Sequence, residues 1–167
     1  MEKLNDALLS AIEAGNLSKV KACINHGANI ECRSDEQYTP LSLAIINDHL
    51  PIVKYLVSKQ ADVNATDLPY SDTILFEAVK GNKLEILRFL LGTDADIDAT
   101  GYSNRTCLHE CCLISYMEMI KMVIEKHPDV NARDDEGMTP IHLSVQRDTW
   151  RGKYSGICTM QLSGTEC

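Results

Sequence analysis

A phrase of six residues returns along this chain at nearly constant intervals. Each copy begins with threonine and continues into a short apolar run. The copies are TPLSLA from Thr39, TILFEA from Thr73, TCLHEC from Thr106 and TPIHLS from Thr139. They begin 34, 33 and 33 residues apart. Because a fixed period of roughly 20 to 50 residues is typical of repeat architectures, the chain is predicted to be a stack of similar units.

A second phrase returns in the same register. Its copies are ANIEC, ADVNA, ADIDA and PDVNA, centred on Ile30, Val63, Ile97 and Val130, with steps of 33, 34 and 33 residues. Each of the first three threonines lies 24 residues before the centre of a second phrase. The same distance back from Ile30 reaches Asp6, a good helix cap, so a first unit is predicted to start at the N-terminus.

Within each unit the pattern predicts two helices. Threonine is a favourable N-cap, and a following proline suits the first helical turn. Leu41, Ala44 and Ile45 share one face of a short first helix, and LPIVKYLVSK has the apolar spacing of a longer second helix. The predicted units span about residues 1–33, 34–66, 67–100 and 101–133, with a partial unit at 134–148.

These phrases resemble the ankyrin repeat family, whose units run D-x-x-G-x-T-P-L-H-x-A … L-L-x-x-G-A-D-V-N-A. The resemblance covers roughly residues 4–148 and implies an all-α solenoid of stacked helix-turn-helix pairs with hairpin-like turns on one side. The family's glycine after the second helix is present as Gly27, but Gln60, Asp94 and His127 replace it elsewhere. A residue other than glycine in a left-handed cap costs about 1 kcal/mol, so we expect modest stability.

Composition limits the classes of function. Hydrophobic residues make up 44% of the 167 residues and charged residues 24%, as in soluble globular proteins. The net charge of −8 opposes binding to nucleic acid and leaves a basic protein partner open. No apolar run reaches the roughly 18 residues of a membrane span, and the acidic N-terminal stretch is not expected to be a signal peptide. Seven cysteines without a CxxC pair favour the cytosol or the nucleus.

Catalytic and metal-binding motifs are not evident. The sequence contains no GxSxG, HExxH, P-loop or GxGxxG pattern. In the segment CLHECC, His109 beside Glu110 and Cys111 can be read as a catalytic nucleophile with its base. The thiols and the imidazole of the segment are also ligand types that zinc prefers. One short helix cannot surround a metal ion, however, and we expect Cys107 and Cys111 to be small packing residues. We therefore predict no enzymatic activity, cofactor or metal.

The resemblance implies that partners contact the turn tips. In this chain the predicted tip residues are Asp35, Glu36 and Tyr38, then Pro69, Tyr70 and Asp72, then Tyr102, Ser103 and Arg105, then Asp135, Glu136 and Met138. Tyrosine is enriched at interfaces because it provides a large rigid contact area with a polar end. The alternative is that tyrosine and aspartate simply suit turns.

The positions seven and eight residues after each threonine are predicted to face a groove. They are Ile46 and Asn47, Lys80 and Gly81, and Leu113 and Ile114. Three of these six are branched apolar residues, which indicates either an interaction patch or packing into the core.

The resemblance also implies a modification. The asparagine of the second phrase can be hydroxylated in ankyrin repeats of animal cells, typically with leucine eight residues earlier. Asn64 has Leu56 at that spacing, and Asn131 has Val123. The alternative role of these asparagines is to bridge the turn by their own hydrogen bonds.

The repeat pattern stops after the fourth threonine-led helix, which begins at Thr139. Gly152 and Lys153 occupy the positions where a second helix would need an apolar pair. Residues 149–167 are therefore predicted to be an irregular tail, a divergent cap, or the boundary with a larger protein.

Together these features predict a non-catalytic, monomeric scaffold or adaptor that binds a protein partner through turn tips and groove, in the cytoplasm or nucleus. Two alternatives stay open. One is an inhibitor that masks a basic surface of its target, and the other is the interaction domain of a larger multidomain enzyme.

Overall fold

The computed structural model describes residues 2–67 and 71–148. Within these residues the regular secondary structure is almost entirely helical, in short helices joined by turns. The helices are α1 (Glu2–Glu13), α2 (Leu17–Asn25), α3 (Pro40–Ile46), α4 (Leu50–Ser58), α5 (Ile74–Lys80), α6 (Leu84–Leu90), α7 (Cys107–Ile114), α8 (Met117–Ile124) and α9 (Pro140–Asp148). Two short strands, β1 (Thr66–Asp67) and β2 (Asp72–Thr73), pair antiparallel, and a 3-10 turn spans Tyr102–Asn104.

The helices form two parallel rows. The first helices of the units, α1, α3, α5, α7 and α9, pack side by side, and α2, α4, α6 and α8 form the second row. Within each of the first four units the two helices also pack against each other. This arrangement confirms the predicted all-α solenoid of helix-turn-helix pairs. No helix in the described part of the chain is long and apolar enough to cross a membrane.

One hydrophobic core runs through the stack. It extends without interruption from Leu8 in α1 to Val123 in α8. Leu41 and Ile45 of α3 are almost completely buried between neighbouring units, as predicted from their spacing. Since a fully buried apolar side chain stabilises the fold by about 1.5–3 kcal/mol, each unit depends on its neighbours for most of its stability.

The repeated threonines cap the first helices. The Oγ1 atom of Thr39 accepts a hydrogen bond from Ser42 N at 3.0 Å, and that of Thr73 accepts one from Phe76 N at 3.2 Å. Thr106 caps α7 in the same way, through a longer bond of 3.5 Å from His109 N. The predicted N-caps Thr39, Thr73 and Thr106 are therefore confirmed. The prediction that Asp6 caps the first helix is wrong, because α1 already begins at Glu2 and Asp6 lies inside it.

His109 links the fourth unit to the fifth. Its Nδ1 atom lies 3.1 Å from Thr106 N and accepts that N–H, so Nε2 carries the proton and donates to Met138 O at 3.1 Å. Burial lowers the pKa of His109, which keeps the ring in this neutral form. The imidazole is thus a structural connector between consecutive units.

The turns that precede the first helices are hairpin-like, and we call them tips 1 to 4. Tip 1 (33–38) is closed by Ser34 N donating to Tyr38 O at 3.0 Å. Tip 2 comprises, among the described residues, β1, Ser71 and β2. Tip 3 (101–105) is closed by Gly101 N donating to Arg105 O at 2.8 Å, and tip 4 (133–138) by Asp134 N donating to Met138 O at 2.9 Å.

Each tip is hydrogen-bonded to the next. Arg33 of tip 1 donates from Nη1 to Thr66 O of tip 2 at 2.9 Å. Tyr102 N of tip 3 donates to the carboxylate of Asp72 in tip 2 at 2.8 Å. Asp135 N of tip 4 donates to Ser103 O of tip 3 at 3.0 Å. Because these bonds join residues of different units, the tips are held as a connected row.

An ion pair strengthens the contact between tips 3 and 4. Arg105 Nε lies 3.1 Å from Asp134 Oδ2, and the Asp134 side chain is fully buried. Burial alone would raise the pKa of Asp134, but N–H bonds from Met138 and Glu136 and the Arg105 guanidinium together lower it. The carboxylate is therefore held ionised where it fixes both tips.

Gly101 allows tips 2 and 3 to approach closely. A Cβ atom at this position would lie 2.8 Å from Asp72 Oδ1 and 3.3 Å from Asp72 Cα. Only glycine leaves room for the carboxylate that accepts the Tyr102 N–H.

Left-handed residues recur at the turn after the second helix. Gly27, Gln60 and His127 have φ values of 91°, 66° and 56° there. The expectation that Asp94 shares this conformation is wrong. α6 ends at Leu90, the chain leaves it through a turn in which the Thr93 hydroxyl bonds Leu90 O at 2.6 Å, and Asp94 has no positive φ.

A second left-handed set lies between the two helices of each unit, and the sequence reasoning missed it. Its members are Gly15, Asp48, Asn82 and Ser115, with φ between 54° and 65°. Aspartate and asparagine tolerate this region better than other residues, which explains two of the four. Residues 149–167 lie outside the described residues, so the predicted tail and its boundary stay predictions.

We predict that Gln60→Gly raises the free energy of unfolding by about 1 kcal/mol, because glycine relieves the left-handed strain. For a chain of this size that corresponds to a rise in melting temperature of about 2–4 °C. Thermal unfolding followed by circular dichroism measures it. Asp94→Gly is the matched control and should give no such gain, and an equal gain in both variants would contradict the account.

We also predict that Gly101→Ala lowers the melting temperature by several degrees, because the added methyl group must displace the Asp72 carboxylate or the backbone of tip 3. Gly92→Ala is the control, since its Cβ would meet nothing closer than Phe89 O at 3.3 Å and its φ is not left-handed. Equal unfolding temperatures for Gly101→Ala and the unmodified chain would show that tips 2 and 3 are not tightly seated.

Candidate functional site

The CLHECC segment is part of the packed interior. Cys107 and Cys111 are buried, and burial raises the pKa of the Cys107 thiol to about 12 and that of Cys111 further still. A thiol with so high a pKa is a poor nucleophile at neutral pH. His109 has both ring nitrogens engaged by Thr106 and Met138. Among the described residues, no group of three His, Cys, Asp or Glu side chains is arranged to hold a metal ion.

The acidic tip residues are accessible as predicted. Asp35 and Glu36 of tip 1 and Asp135 and Glu136 of tip 4 are exposed. Tyr38 and Met138, which end the same two tips, are half-buried beside them. Pro69 and Tyr70 lie outside the described residues, so their place in the tip surface stays a prediction.

Asp72 is the exception among the predicted tip residues. It was expected to be exposed, but its side chain is only 2% exposed. The reason is that tip 3 covers it, since its Oδ1 accepts the Tyr102 N–H and Gly101 packs against it. Asp72 therefore lies under tip 3 and holds its backbone through the hydrogen bond from Tyr102 N.

The six predicted groove positions lie in different environments. Ile46 is 36% exposed at the end of α3, and Asn47 is exposed with its Nδ2 donating to Leu43 O at 2.9 Å. Ile114 is half-buried and packs against the core, whereas Leu113 faces a cleft described below. Ile114 therefore fits the core alternative, whereas Leu113 lines a surface cleft and its part in an interaction stays a prediction.

A cleft of about 360 Å³ lies between the third and fourth units, and we call it the α5–α7 cleft. Its volume falls within the range of pockets that hold small ligands. Its walls are mostly apolar. It is lined by Asp72, Phe76, Lys80, Tyr102, Arg105, Glu110 and Leu113. Five of these seven residues were predicted from tip and groove positions, so the structure brings the two predicted sets together here.

Phe76 and Glu110 line the cleft but were not predicted from the sequence. Glu110 lies four residues after Thr106, and Glu77 lies four residues after Thr73. The first and last copies of the phrase have Leu43 and Leu143 at this position. The third and fourth units therefore differ from the other copies of the phrase, because they carry a carboxylate at a position that is leucine elsewhere.

Lys80 lies at the edge of the cleft beside two buried carboxylates. Its Nζ atom is 3.5 Å from Asp72 Oδ2 and 3.6 Å from Glu77 Oε1, while its own side chain is 52% exposed. Partial burial acts to lower the pKa of Lys80, but Glu77 and Asp72 outweigh it and the pKa is raised. The Lys80 ammonium group therefore keeps its positive charge beside these two carboxylates.

The two hydroxylation candidates differ in their contacts. Asn64 joins the second unit to the third, since its Oδ1 accepts from Asp96 N at 2.8 Å and its Nδ2 donates to Asp94 O at 3.2 Å. Glu31 and Asp98 accept from the following unit at equivalent positions. The amide of Asn131 makes no comparable bond within residues 2–67 and 71–148. Hydroxylation itself stays a prediction for both.

Comparison with known proteins agrees with this geometry. The pattern of the family described as ankyrin repeats (3 copies) matches residues 2–67 and 71–157. Similar proteins include the nuclear factor NF-kappa-B p105 subunit of Gallus gallus, 28% identical over 80% of this chain, and Rabankyrin-5 of Homo sapiens, 31% identical over 76%. Protein phosphatase 1 regulatory subunit 27 of Homo sapiens is 38% identical over 47% of this chain.

The chain spans 14%, 11% and 57% of the lengths of these three relatives, in that order. The family pattern covers most of the chain, and the stacked rows, capping threonines and linked tips supply the matching structure. The chain therefore belongs to the ankyrin repeat family.

Proposed function

We propose that this chain is a protein-binding module without catalytic activity of its own, which engages its partner through the tips and the α5–α7 cleft. Ankyrin repeats are in general protein–protein interaction modules, and stacked repeats provide extended binding surfaces. The observation that carries the proposal is the cleft, where tip and groove residues meet. It joins Tyr102, which is 56% exposed, to the apolar side chain of Leu113.

The linked tips support a mechanism of rigid presentation. Bonds such as Tyr102 N to Asp72 and Asp135 N to Ser103 fix the surface before any partner arrives. Binding then costs little conformational entropy, which favours affinity. We propose that the module acts as a monomer in the cytoplasm or nucleus.

A second candidate function is inhibition by masking a basic surface. It is favoured by the exposed carboxylates of Asp35 and Glu36 on tip 1 and of Asp135 and Glu136 on tip 4, within a chain of net charge −8. One relative is named as a regulatory subunit of protein phosphatase 1, which is consistent with regulation through binding. The small share of the longer relatives that the chain spans is consistent with a module of a larger protein.

We predict that Leu113→Glu and Ile46→Glu weaken partner binding by about tenfold or more while the fold persists, because each places a charge on the apolar part of the surface. The full chain is used as bait in native lysate, and captured proteins are quantified by mass spectrometry. Tyr102→Ala should act in the same direction.

Ala22→Glu is the matched control, since it adds the same charge at an exposed position of α2 in the second row. Unchanged capture by a folded Leu113→Glu variant would contradict the proposed surface. Unfolding of that variant, seen by circular dichroism, would instead assign Leu113 to the core.

A further inference from the structure

We propose that the α5–α7 cleft binds a lysine or arginine side chain presented by the protein partner. This assignment rests on the function proposed above and names the chemistry that the cleft recognises. It follows from the apolar walls of the cleft, from the charges behind them, and from the position of Lys80.

The walls suit the aliphatic stem of a long basic side chain. Phe76 forms an apolar inner wall and is 4% exposed, and Leu113 forms the wall on α7. Tyr102 stands at the mouth with more than half of its surface open. Lysine and arginine stems pack on apolar surface while their charged ends seek polar groups, and a tyrosine ring attracts a cation.

The charges around the cleft favour a cation. Among the described residues, four carboxylates line the cleft or stand directly against its lining, and two cationic side chains accompany them. The carboxylates are Asp72, Glu77, Glu110 and Asp134, and the cations are Lys80 and Arg105. Arg105 is paired with the buried Asp134 at 3.1 Å. Lys80 lies 3.5 Å from Asp72 and 3.6 Å from Glu77, and the four negative and two positive formal charges of this set leave a sum of −2.

Lys80 is placed where it can give way to a partner. Its contacts with Asp72 and Glu77, at 3.5 Å and 3.6 Å, are long for charge-assisted hydrogen bonds, and half of its side chain is in solvent. Only the lysine of these two pairs is solvent-exposed, since the side chains of Asp72 and Glu77 are 2% and 10% exposed. A basic side chain from a partner can approach the same carboxylates from the open side, whereas an acidic one would be repelled by them.

The experiment measures binding of four labelled peptides to the full chain by fluorescence polarisation. The probes are fluorescein-Gly-Leu-X-Leu-Gly-amide, in which X is lysine, arginine, norleucine or glutamate. We expect the lysine and arginine peptides to bind about tenfold more tightly than the norleucine peptide, because a charge-assisted hydrogen bond adds to the apolar contact. Glutamate should bind most weakly, and salt should reduce the difference.

Two substitutions test whether the preference for basic peptides arises at the α5–α7 cleft. Glu110→Gln should reduce the preference for lysine over norleucine to less than about threefold, because it removes one negative charge from the lining. Its control is Glu125→Gln, an exposed position after α8 that should leave the preference unchanged. Lys80→Met should strengthen binding of the lysine peptide several-fold, because it removes the internal competitor. Lys126→Met, also exposed, is the matched control.

The proposal is overturned if norleucine or glutamate binds as tightly as lysine, if no peptide binds, or if Lys80→Met weakens the lysine peptide. If Glu110→Gln fails to fold, the Lys80→Met arm still decides the matter. These outcomes are separate from the capture experiment with Leu113→Glu. If Leu113→Glu loses its captured partners but the peptides show no preference for a cation, the proposed binding surface is retained and its basic ligand is rejected.

Discussion

The structure depends on the burial of apolar faces between neighbouring units. No single helix pair can cover Leu41 and Ile45 on its own, and the core therefore continues from Leu8 to Val123 through three interfaces of similar construction. Because each unit contacts only its neighbours, stability is close to a sum of local terms. The same stacking sets the tips one after another, and this makes tip-to-tip hydrogen bonds such as Tyr102 N to Asp72 geometrically available.

The sequence predicted the features that repeat, because period and register determine them. The threonine caps, the two helices of each unit and the buried face of α3 followed from spacing alone. Features that arise between units were harder to predict. Asp72 looked like an exposed turn residue, since its burial is caused by Gly101 in the next unit. Asp94 departed from the register because α6 ends at Leu90, earlier than the repeat implies.

The candidate site was likewise predicted only where its residues follow the repeat. Tip and groove positions predicted five of the seven residues that line the α5–α7 cleft, because both sets follow the repeat. The sequence did not predict that the two sets meet at one cleft, or that Glu110 and Phe76 complete it. The function proposed for this surface depends on residues that differ from the repeat pattern. Carboxylates replace leucine in two units, and a lysine partly offsets them, so the shared scaffold carries a local charge pattern of its own.

The central claim is that the tips form a rigid surface before binding, and amide hydrogen exchange measured by NMR tests it most directly. The N–H groups of Tyr102 and Asp135 lie in turns on the surface, yet each is bonded to another unit. The account predicts that both exchange at least about 100-fold more slowly than unprotected amides, at rates similar to those of the neighbouring helices. Exchange of these two amides at unprotected rates while α5 and α7 remain protected would contradict it.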